Sequence, residues 1–162
     1  MSPFRSEPDV DASVGIDAPI EVVWGVMLDL DAYAQWNPFV VRIDGPDDRP
    51  PALGDVLTLH VRWPSGRKTT ARELVTAIEP PAAGDGVTRA TLVYEFRGWP
   101  YYLGLARGRR TQTLERAAGG QTTYRTTEHF GGLLKKTLPV RSTQDGFERH
   151  AVALRDRAES LA

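Results

Sequence analysis

The sequence predicts an α+β fold, in which a curved antiparallel sheet of about seven strands packs against a long C-terminal helix. Three observations support this fold class. A strand of alternating apolar and polar residues, Val10 to Ile16, precedes two short helical segments. About six further segments with strand-like patterns follow, separated by turns rich in Gly, Pro and Asp. The chain ends in a segment with apolar residues at helical spacing, and strands followed by a terminal helix are typical of α+β proteins.

The composition is that of a globular protein of one domain. The chain has 162 residues, of which 41% are apolar and 25% are charged. We expect a flexible tail over residues 1–9, because Met1–Pro8 is polar and holds two prolines, and a single domain over residues 10–162. We also expect no membrane insertion, because no apolar run is long enough to span a bilayer and no signal-peptide core is present.

Composition and spacing argue against several kinds of site. The absence of cysteine excludes disulfides, thiolate metal sites and cysteine nucleophiles, and it fits a cytoplasmic location. The three histidines are far apart in the chain, so we expect no metal ion, and the chain has no dinucleotide or phosphate-binding motif that would indicate another cofactor. A net charge of −1 gives no electrostatic reason to expect nucleic acid.

The first half of the chain predicts two helices and the first strands. Pro19 suits a first helical turn, and Asn37-Pro38 ends the second helix. The helical stripe consists of Ile20, Val23, Trp24, Met27 and Leu28. In order, the predicted elements are a helix over this stripe, a short helix over 29–36, a strand over 39–43, a long loop over 44–55, and strands over 56–63 and 68–79.

The second half predicts a strand, an aromatic loop, a hairpin and the last helix. A turn over 80–86 precedes a strand over 87–97, whose residues Leu92, Tyr94 and Phe96 share one face. The aromatic loop covers 98–104. The segment Ser142-Thr143-Gln144-Asp145 resembles a capping box and predicts the start of the last helix. Its apolar stripe consists of Phe147, Ala151, Leu154, Ala158 and Leu161.

The hairpin from Ala106 to Phe130 organises the rest of the chain. Its turn is predicted at Ala118-Gly119-Gly120, and a three-residue loop sets the register of the two strands. That register pairs Leu114 with Tyr124, Gln112 with Thr126, and Arg110 with Glu128. The two large rings of the second strand, Tyr124 and Phe130, mark the inward face.

This inward face carries an Arg, a Gln, a Thr and a Glu where a core is expected. Burying an unpaired polar group costs roughly 2–7 kcal/mol, so such a face usually lines a cavity that holds water or a ligand. The alternative is a twisted edge hairpin whose polar side chains reach past the core into solvent.

Several segments together resemble the SRPBCC superfamily, in particular its polyketide cyclase/dehydrase and lipid-transport branch. The resemblance covers residues from about 12 to 160. It is carried by Ala18-Pro19-Ile20-Glu21-Val22-Val23-Trp24, Asp29-Leu30-Asp31-Ala32-Tyr33, Trp36-Asn37-Pro38-Phe39, Gly54-Asp55-Val56-Leu57, Ala77-Ile78-Glu79-Pro80-Pro81, Thr113-Leu114-Glu115, Gly120-Gln121-Thr122, Glu128-His129-Phe130-Gly131-Gly132-Leu133-Leu134 and Gly146-Phe147-Glu148. It implies a helix-grip fold with a deep apolar cavity between sheet and helix. It does not imply one chemistry, because the superfamily includes enzymes, carriers and receptors.

Arg110 and Glu128 are the candidate catalytic residues. In an apolar cavity Arg110 would hold a carboxylate, enolate or phenolate oxygen, and Glu128 would act as a base. The alternative is a structural cross-strand ion pair. This chain departs from many relatives at these strands, since they carry an aromatic residue where Gln112 stands and a His or small polar residue where Arg110 stands.

Eight further residues are candidate ligand contacts. Tyr94 and Tyr124 would donate phenol hydrogens into the cavity, or else serve as core rings with a hydroxyl at the rim. Gln112 and Thr126 lie on the same inward face. The remaining candidates are Trp36, Tyr101 and Tyr102, which would form an aromatic mouth or anchor loops on the core, and His150, which would reach the cavity or lie at the surface.

Three functions remain open at this point. The first is an enzyme of the cyclase or dehydratase (aromatase) type that folds a polyketide-like chain. The second is a non-catalytic carrier, sensor or sequestering protein that gives self-resistance to an apolar, ring-bearing metabolite. The third is a protein-interaction domain with an incidental cavity. We expect a monomer or a weak homodimer with a small hydrophobic molecule as its partner.

Overall fold

The computed structural model describes residues 7–162, so most of the predicted tail lies outside the described residues. The strands are β1 (Val10–Ile16), β2 (Val40–Asp44), β3 (Val56–Arg62), β4 (Lys68–Gly84), β5 (Val87–Phe96), β6 (Arg107–Ala117) and β7 (Thr122–Gly131). The helices are α1 (Ile20–Leu28), α2 (Tyr33–Trp36), α3 (Trp99–Tyr102) and α4 (Val140–Leu161), with single 3₁₀ turns at Leu30–Ala32 and Lys135–Thr137.

The seven strands form one antiparallel sheet in the order β1-β7-β6-β5-β4-β3-β2. The sheet curls into a half-barrel around α4, which confirms the predicted α+β helix-grip arrangement. The stripe on α4 is buried as predicted at Phe147, Ala151, Leu154 and Ala158, whereas Leu161 is exposed at the end of the helix. Since α4 packs mainly on β1 and α1, its first turns leave space above the middle strands of the sheet.

The register of the β6–β7 hairpin is the predicted one. Leu114 pairs with Tyr124 and Arg110 pairs with Glu128, with Gln112 opposite Thr126 between them. The predicted polar inward face is also present, because Arg110 is 6% exposed and Gln112 is 1% exposed. Loop length therefore determined which side chains face inward, since a register shift of one residue would have reversed every face.

Strand β4 is longer than predicted. It continues through Pro80 and Pro81 to Gly84, and the register against β5 shifts between Glu79 and Ala82, where the two prolines lie. A shift of this kind lets the strand pass prolines that cannot donate to the ladder. The turn is the dipeptide Asp85-Gly86, with φ of 52° and 76°, which is typical of a tight two-residue hairpin.

The last helix begins earlier than the capping-box pattern predicted. It starts at Val140, directly after Pro139, so the predicted box lies inside the helix and makes no side-chain cap. Thr143 instead donates a hydrogen bond of 2.7 Å from its hydroxyl to the carbonyl of Pro139. Pro139 is compatible with this start because it lacks the amide hydrogen that a helix N-terminus leaves unpaired. The predicted aromatic loop over 98–104 contains the short helix α3.

Candidate functional site

A cavity of about 320 Å³ lies between the inner face of the sheet and the first turns of α4. Its size is at the lower end of the range for small-molecule pockets, which is about 300–1,000 Å³. Its wall is mostly apolar, and six aromatic residues of the described chain contribute to it. These are Phe39, Trp63, Tyr94, Phe96, Phe130 and Phe147.

Arg110 brings a positive charge to the cavity wall and is held in place by neighbours on β7. Its Nε donates to the hydroxyl of Thr126 at 3.0 Å, and its Nη2 lies 3.4 Å from the hydroxyl of Tyr124. The guanidinium also lies over the ring of Phe147, 4.2 Å from the ring centroid, which is a cation–π geometry. The Tyr124 hydroxyl in turn donates to Oε1 of Gln112 at 2.7 Å. Arg110, Gln112 and Thr126, which were predicted on the inward face of the hairpin, are thus joined through Tyr124 in one hydrogen-bonded network.

Glu128 lines the same cavity without contacting Arg110 directly. The two residues are partners in the ladder, yet no ion pair within 4.0 Å joins them among the described residues. The carboxyl leans instead over Gly108, where a β-carbon added to the glycine would lie 2.8 Å from Oε1 of Glu128. Burial and the nearby carboxyl of Glu73 raise the pKa of Glu128 well above its ordinary value, although Arg110 opposes them.

Glu73 on β4 is a site residue that the sequence analysis did not identify. It lines the cavity and pairs across the ladder with Phe96. Burial raises the pKa of this carboxyl from 4.5 to about 8, partly offset by the positive charges of Arg110 and Arg97. The sequence does show that Thr69, Ala71 and Glu73 share one face of β4, because side chains alternate along a strand. Assigning that face to the cavity, however, required the pairing of β4 with β5.

Tyr94 supplies a further polar group. The residue is 2% exposed and lines the cavity, and its hydroxyl has no hydrogen-bond partner among the described residues. Burial raises its pKa, so the phenol is neutral and can donate. An unpartnered buried hydroxyl is costly, and a ligand or water in the cavity would satisfy it.

His150 lies in a buried layer beside the polar network rather than on the cavity wall. Its Nδ1 accepts a hydrogen bond of 2.8 Å from the amide of Asn37, and its ring stacks on Tyr124 at 6.0 Å. Burial lowers the pKa of His150 well below its ordinary value, with a smaller contribution from Arg110, so the ring is neutral. Trp36 packs edge-on against it at 5.6 Å. His150 and Trp36 thus pack behind Tyr124, on the side of the polar network that faces away from the cavity.

Of the three residues predicted to form an aromatic mouth, Tyr101 and Tyr102 lie on α3, whereas Trp36 packs against the buried His150. Tyr101 carries the guanidinium of Arg97 over its ring at 4.1 Å, while Tyr102 is 72% exposed. Backbone hydrogen bonds from Leu133 to Gly104 and from Leu134 to Leu105 join the α3 segment to the segment before α4. Pro100 and Leu138 from these segments line the cavity, whereas Tyr101 and Tyr102 follow Pro100 in α3 without lining it, a position that we call the rim.

The structure thus divides the predicted site residues into three groups. Arg110, Glu128 and Tyr94 lie on the cavity wall together with Glu73. Gln112, Tyr124, Thr126 and His150 form the buried layer behind that wall, and Trp36 borders it. Tyr101 and Tyr102 stand at the rim. Their roles toward a ligand remain predictions.

Comparison with known proteins identifies the family. The model of the family described as polyketide cyclase / dehydrase and lipid transport matches residues 7–159. The chain belongs to this family. The match extends over nearly the whole sequence, and the curled sheet with its terminal helix is the fold of the START/Bet v 1-like superfamily predicted from the sequence. No match was found among curated proteins.

Solved structures share the fold at low sequence identity. A hypothetical protein from Helicobacter pylori is 14% identical with a TM-score of 0.70, the match covering 98% of this chain and 97% of that one. A START superfamily protein from Mycobacterium smegmatis is 19% identical with a TM-score of 0.65, covering 94% and 98%. The di-domain aromatase/cyclase BexL of the BE-7585A biosynthetic pathway is 18% identical with a TM-score of 0.56, covering 96% of this chain and 51% of that one. These likenesses show the fold.

No helix within the described residues combines the length and the apolar character that a membrane-crossing helix requires.

Proposed function

We propose that this protein binds a small, hydrophobic, ring-bearing or polyketide-like metabolite in the cavity under α4. The observation that carries the proposal is the composition of the wall, where six aromatic rings surround the polar groups Glu73, Arg110 and Glu128. Apolar walls with a few convergent polar groups are typical of small-molecule sites. The aromatic rim and the family, whose description includes lipid transport, support the same conclusion. We propose a cytoplasmic location and a monomer or weak homodimer.

Binding is tested with the fluorescent probe N-phenylnaphthylamine and a variant that fills the cavity. We expect one probe per chain, and we expect Ala71→Phe to weaken binding at least tenfold, because residue 71 lines the cavity and a phenyl ring would occupy it. Native mass spectrometry of the purified protein checks the stoichiometry of any co-purified molecule. Equal affinity in the wild type and in Ala71→Phe would contradict binding in this cavity.

A second function, proton transfer to the bound metabolite, is favoured by the two carboxyls. The pKa of Glu73, about 8, lies near the range that general acid–base catalysis needs at neutral pH, and burial raises the pKa of Glu128 as well. In the dehydration of a β-hydroxy carbonyl compound, Glu128 in its ionised form would remove a proton next to the carbonyl, the protonated Glu73 would deliver a proton to the departing hydroxyl, and Arg110 would stabilise the enolate oxygen. The leaving group is then water, and the two carboxyls exchange protonation states.

Replacement of Glu128 separates an enzyme from a carrier. If the protein is a cyclase or dehydratase, Glu128→Gln should lower turnover of a polyketide-like substrate without a basic nitrogen about 10²–10⁴-fold while the dissociation constant changes little, because the amide keeps the shape but cannot accept the proton. Product formation is followed by chromatography and binding by calorimetry. Equal loss of turnover and affinity would contradict the catalytic role and favour a carrier or sequestering protein.

A further inference from the structure

Two carboxyl groups share the cavity with fewer compensating contacts than carboxyls inside a protein usually have. Neither the carboxyl of Glu73 nor that of Glu128 forms a hydrogen bond or an ion pair within the described residues, although both line the cavity. The acids near them are already paired, since Asp9 contacts Lys135 at 3.2 Å and Glu95 contacts Arg97 at 2.9 Å. The cavity wall therefore contains two acids that no described side chain compensates by direct contact.

The cations of the wall do not supply that contact. Arg110 is engaged with Thr126 and with the ring of Phe147, so its guanidinium attracts both carboxyls without contacting either of them. Arg107 also lines the cavity, but its guanidinium lies 5.8 Å from the centroid of the Tyr101 ring at the rim. Arg97 also acts on Glu73, but it does not line the cavity and is paired with Glu95. Arg110 is thus the one cation on the inner part of the described wall that faces two acids.

The surroundings of the two carboxyls suit a cation with an apolar body. Glu128 leans over Gly108, whose missing side chain leaves room between β5 and β7, and Glu73 is the ladder partner of Phe96 next to that space. The rings of Phe96 and Phe130 border the same region and can face a positive charge. A buried charge is tolerated where an opposite charge and hydrogen bonds accompany it, which two carboxylates provide for one ammonium group.

We infer that the ligand is a ring-bearing molecule with one basic nitrogen, and that its ammonium group binds between Glu73 and Glu128 while its rings fill the aromatic part of the cavity. This inference rests on the proposed binding function and names the chemical class of the ligand. It holds whether or not the ligand reacts. Arg110 then balances the second carboxylate.

Three naphthyl probes of nearly equal size test the inference by calorimetry near neutral pH: naphthylethylamine, naphthylethanol and naphthylacetate. We expect the amine to bind at least tenfold more tightly than the alcohol, and the acetate to bind most weakly. We also expect the amine, unlike the alcohol, to release protons, because an ammonium group favours the ionised form of two carboxyls whose pKa values burial raises. Titrations in two buffers of different ionisation enthalpy measure this release.

Matched variants assign the preference to the two carboxyls. Glu73→Gln and Glu128→Gln should each reduce the preference for amine over alcohol to less than about threefold, whereas Glu79→Gln, an exposed residue of the same strand β4, should leave it unchanged. Glutamine keeps the size of glutamate and carries no charge, so thermal unfolding should show folded variants. Equal binding of amine and alcohol, tighter binding of the acetate, or an unchanged preference in either cavity variant would overturn the inference. Failure of all three probes to bind would overturn the proposed function itself.

Discussion

Gly146→Ala is expected to destabilise the protein by about 2 kcal/mol, although alanine is the better helix former. Gly146 is buried in α4, where its backbone rests on the ring of Phe39. A β-carbon would overlap with three ring atoms of Phe39. Trp63 and Phe147 pack edge-on against the ring, with centroid distances of 5.4 Å and 6.2 Å, so it could yield only by moving toward the cavity. Urea unfolding monitored by circular dichroism measures the change.

A second glycine gives the matched control. Gly25 is an exposed residue of α1, and a β-carbon there would meet no atom within 4 Å. Gly25→Ala should therefore stabilise the protein by about 1 kcal/mol, the ordinary helix preference for alanine. Opposite signs for the two substitutions are the expected result. Stabilisation by both would show that the close contact between α4 and Phe39 is absent in solution.

Glu73→Gln is expected to become more stable than the wild type as pH rises. The difference between their free energies of unfolding should be roughly 2–4 kcal/mol larger above about pH 8 than at acidic pH. The pKa of Glu73 is about 8 in the folded state and ordinarily 4.5. The folded protein thus holds this proton more tightly than the unfolded chain does. The protonated carboxyl of Glu73 contributes its full stabilisation below the ordinary pKa, and this contribution is lost as pH rises through about 8. An amide at position 73 does not titrate, so the variant keeps its stability.

The pH dependence of unfolding checks this prediction. Urea unfolding of the wild type and of Glu73→Gln at several pH values should give curves that diverge between the two pKa values and run parallel above them. The exposed residue Glu79 of the same strand provides the control, since Glu79→Gln should follow the wild type. Parallel curves for the wild type and Glu73→Gln over the whole range would mean that the carboxyl of Glu73 reaches water.

The local pattern of the chain predicted the register of the last hairpin better than it predicted the element boundaries. The three-residue turn and the alternation of β6 and β7 placed Arg110 opposite Glu128 on an inward face, and both features are present. The boundaries failed where local signals competed. Pro80 and Pro81 indicated a turn, but the sheet accommodates them by a shift in register, and the true turn is Asp85-Gly86. Likewise Pro139 begins α4 ahead of the box at 142–145.

The sequence by itself determined the fold class, the seven strands, the terminal helix and the polar character of one interior face. It did so through the alternation of side chains along the strands and the spacing of apolar residues along the helices. The tertiary structure decided which of those polar groups meet. It turned Arg110 toward Thr126 instead of Glu128, and it brought Glu73 from β4 to the same cavity. The physical reason is distance along the chain. Alternation is a property of neighbouring residues, whereas a contact across β4, β5, β6 and β7 depends on every register and on the curvature of the whole sheet.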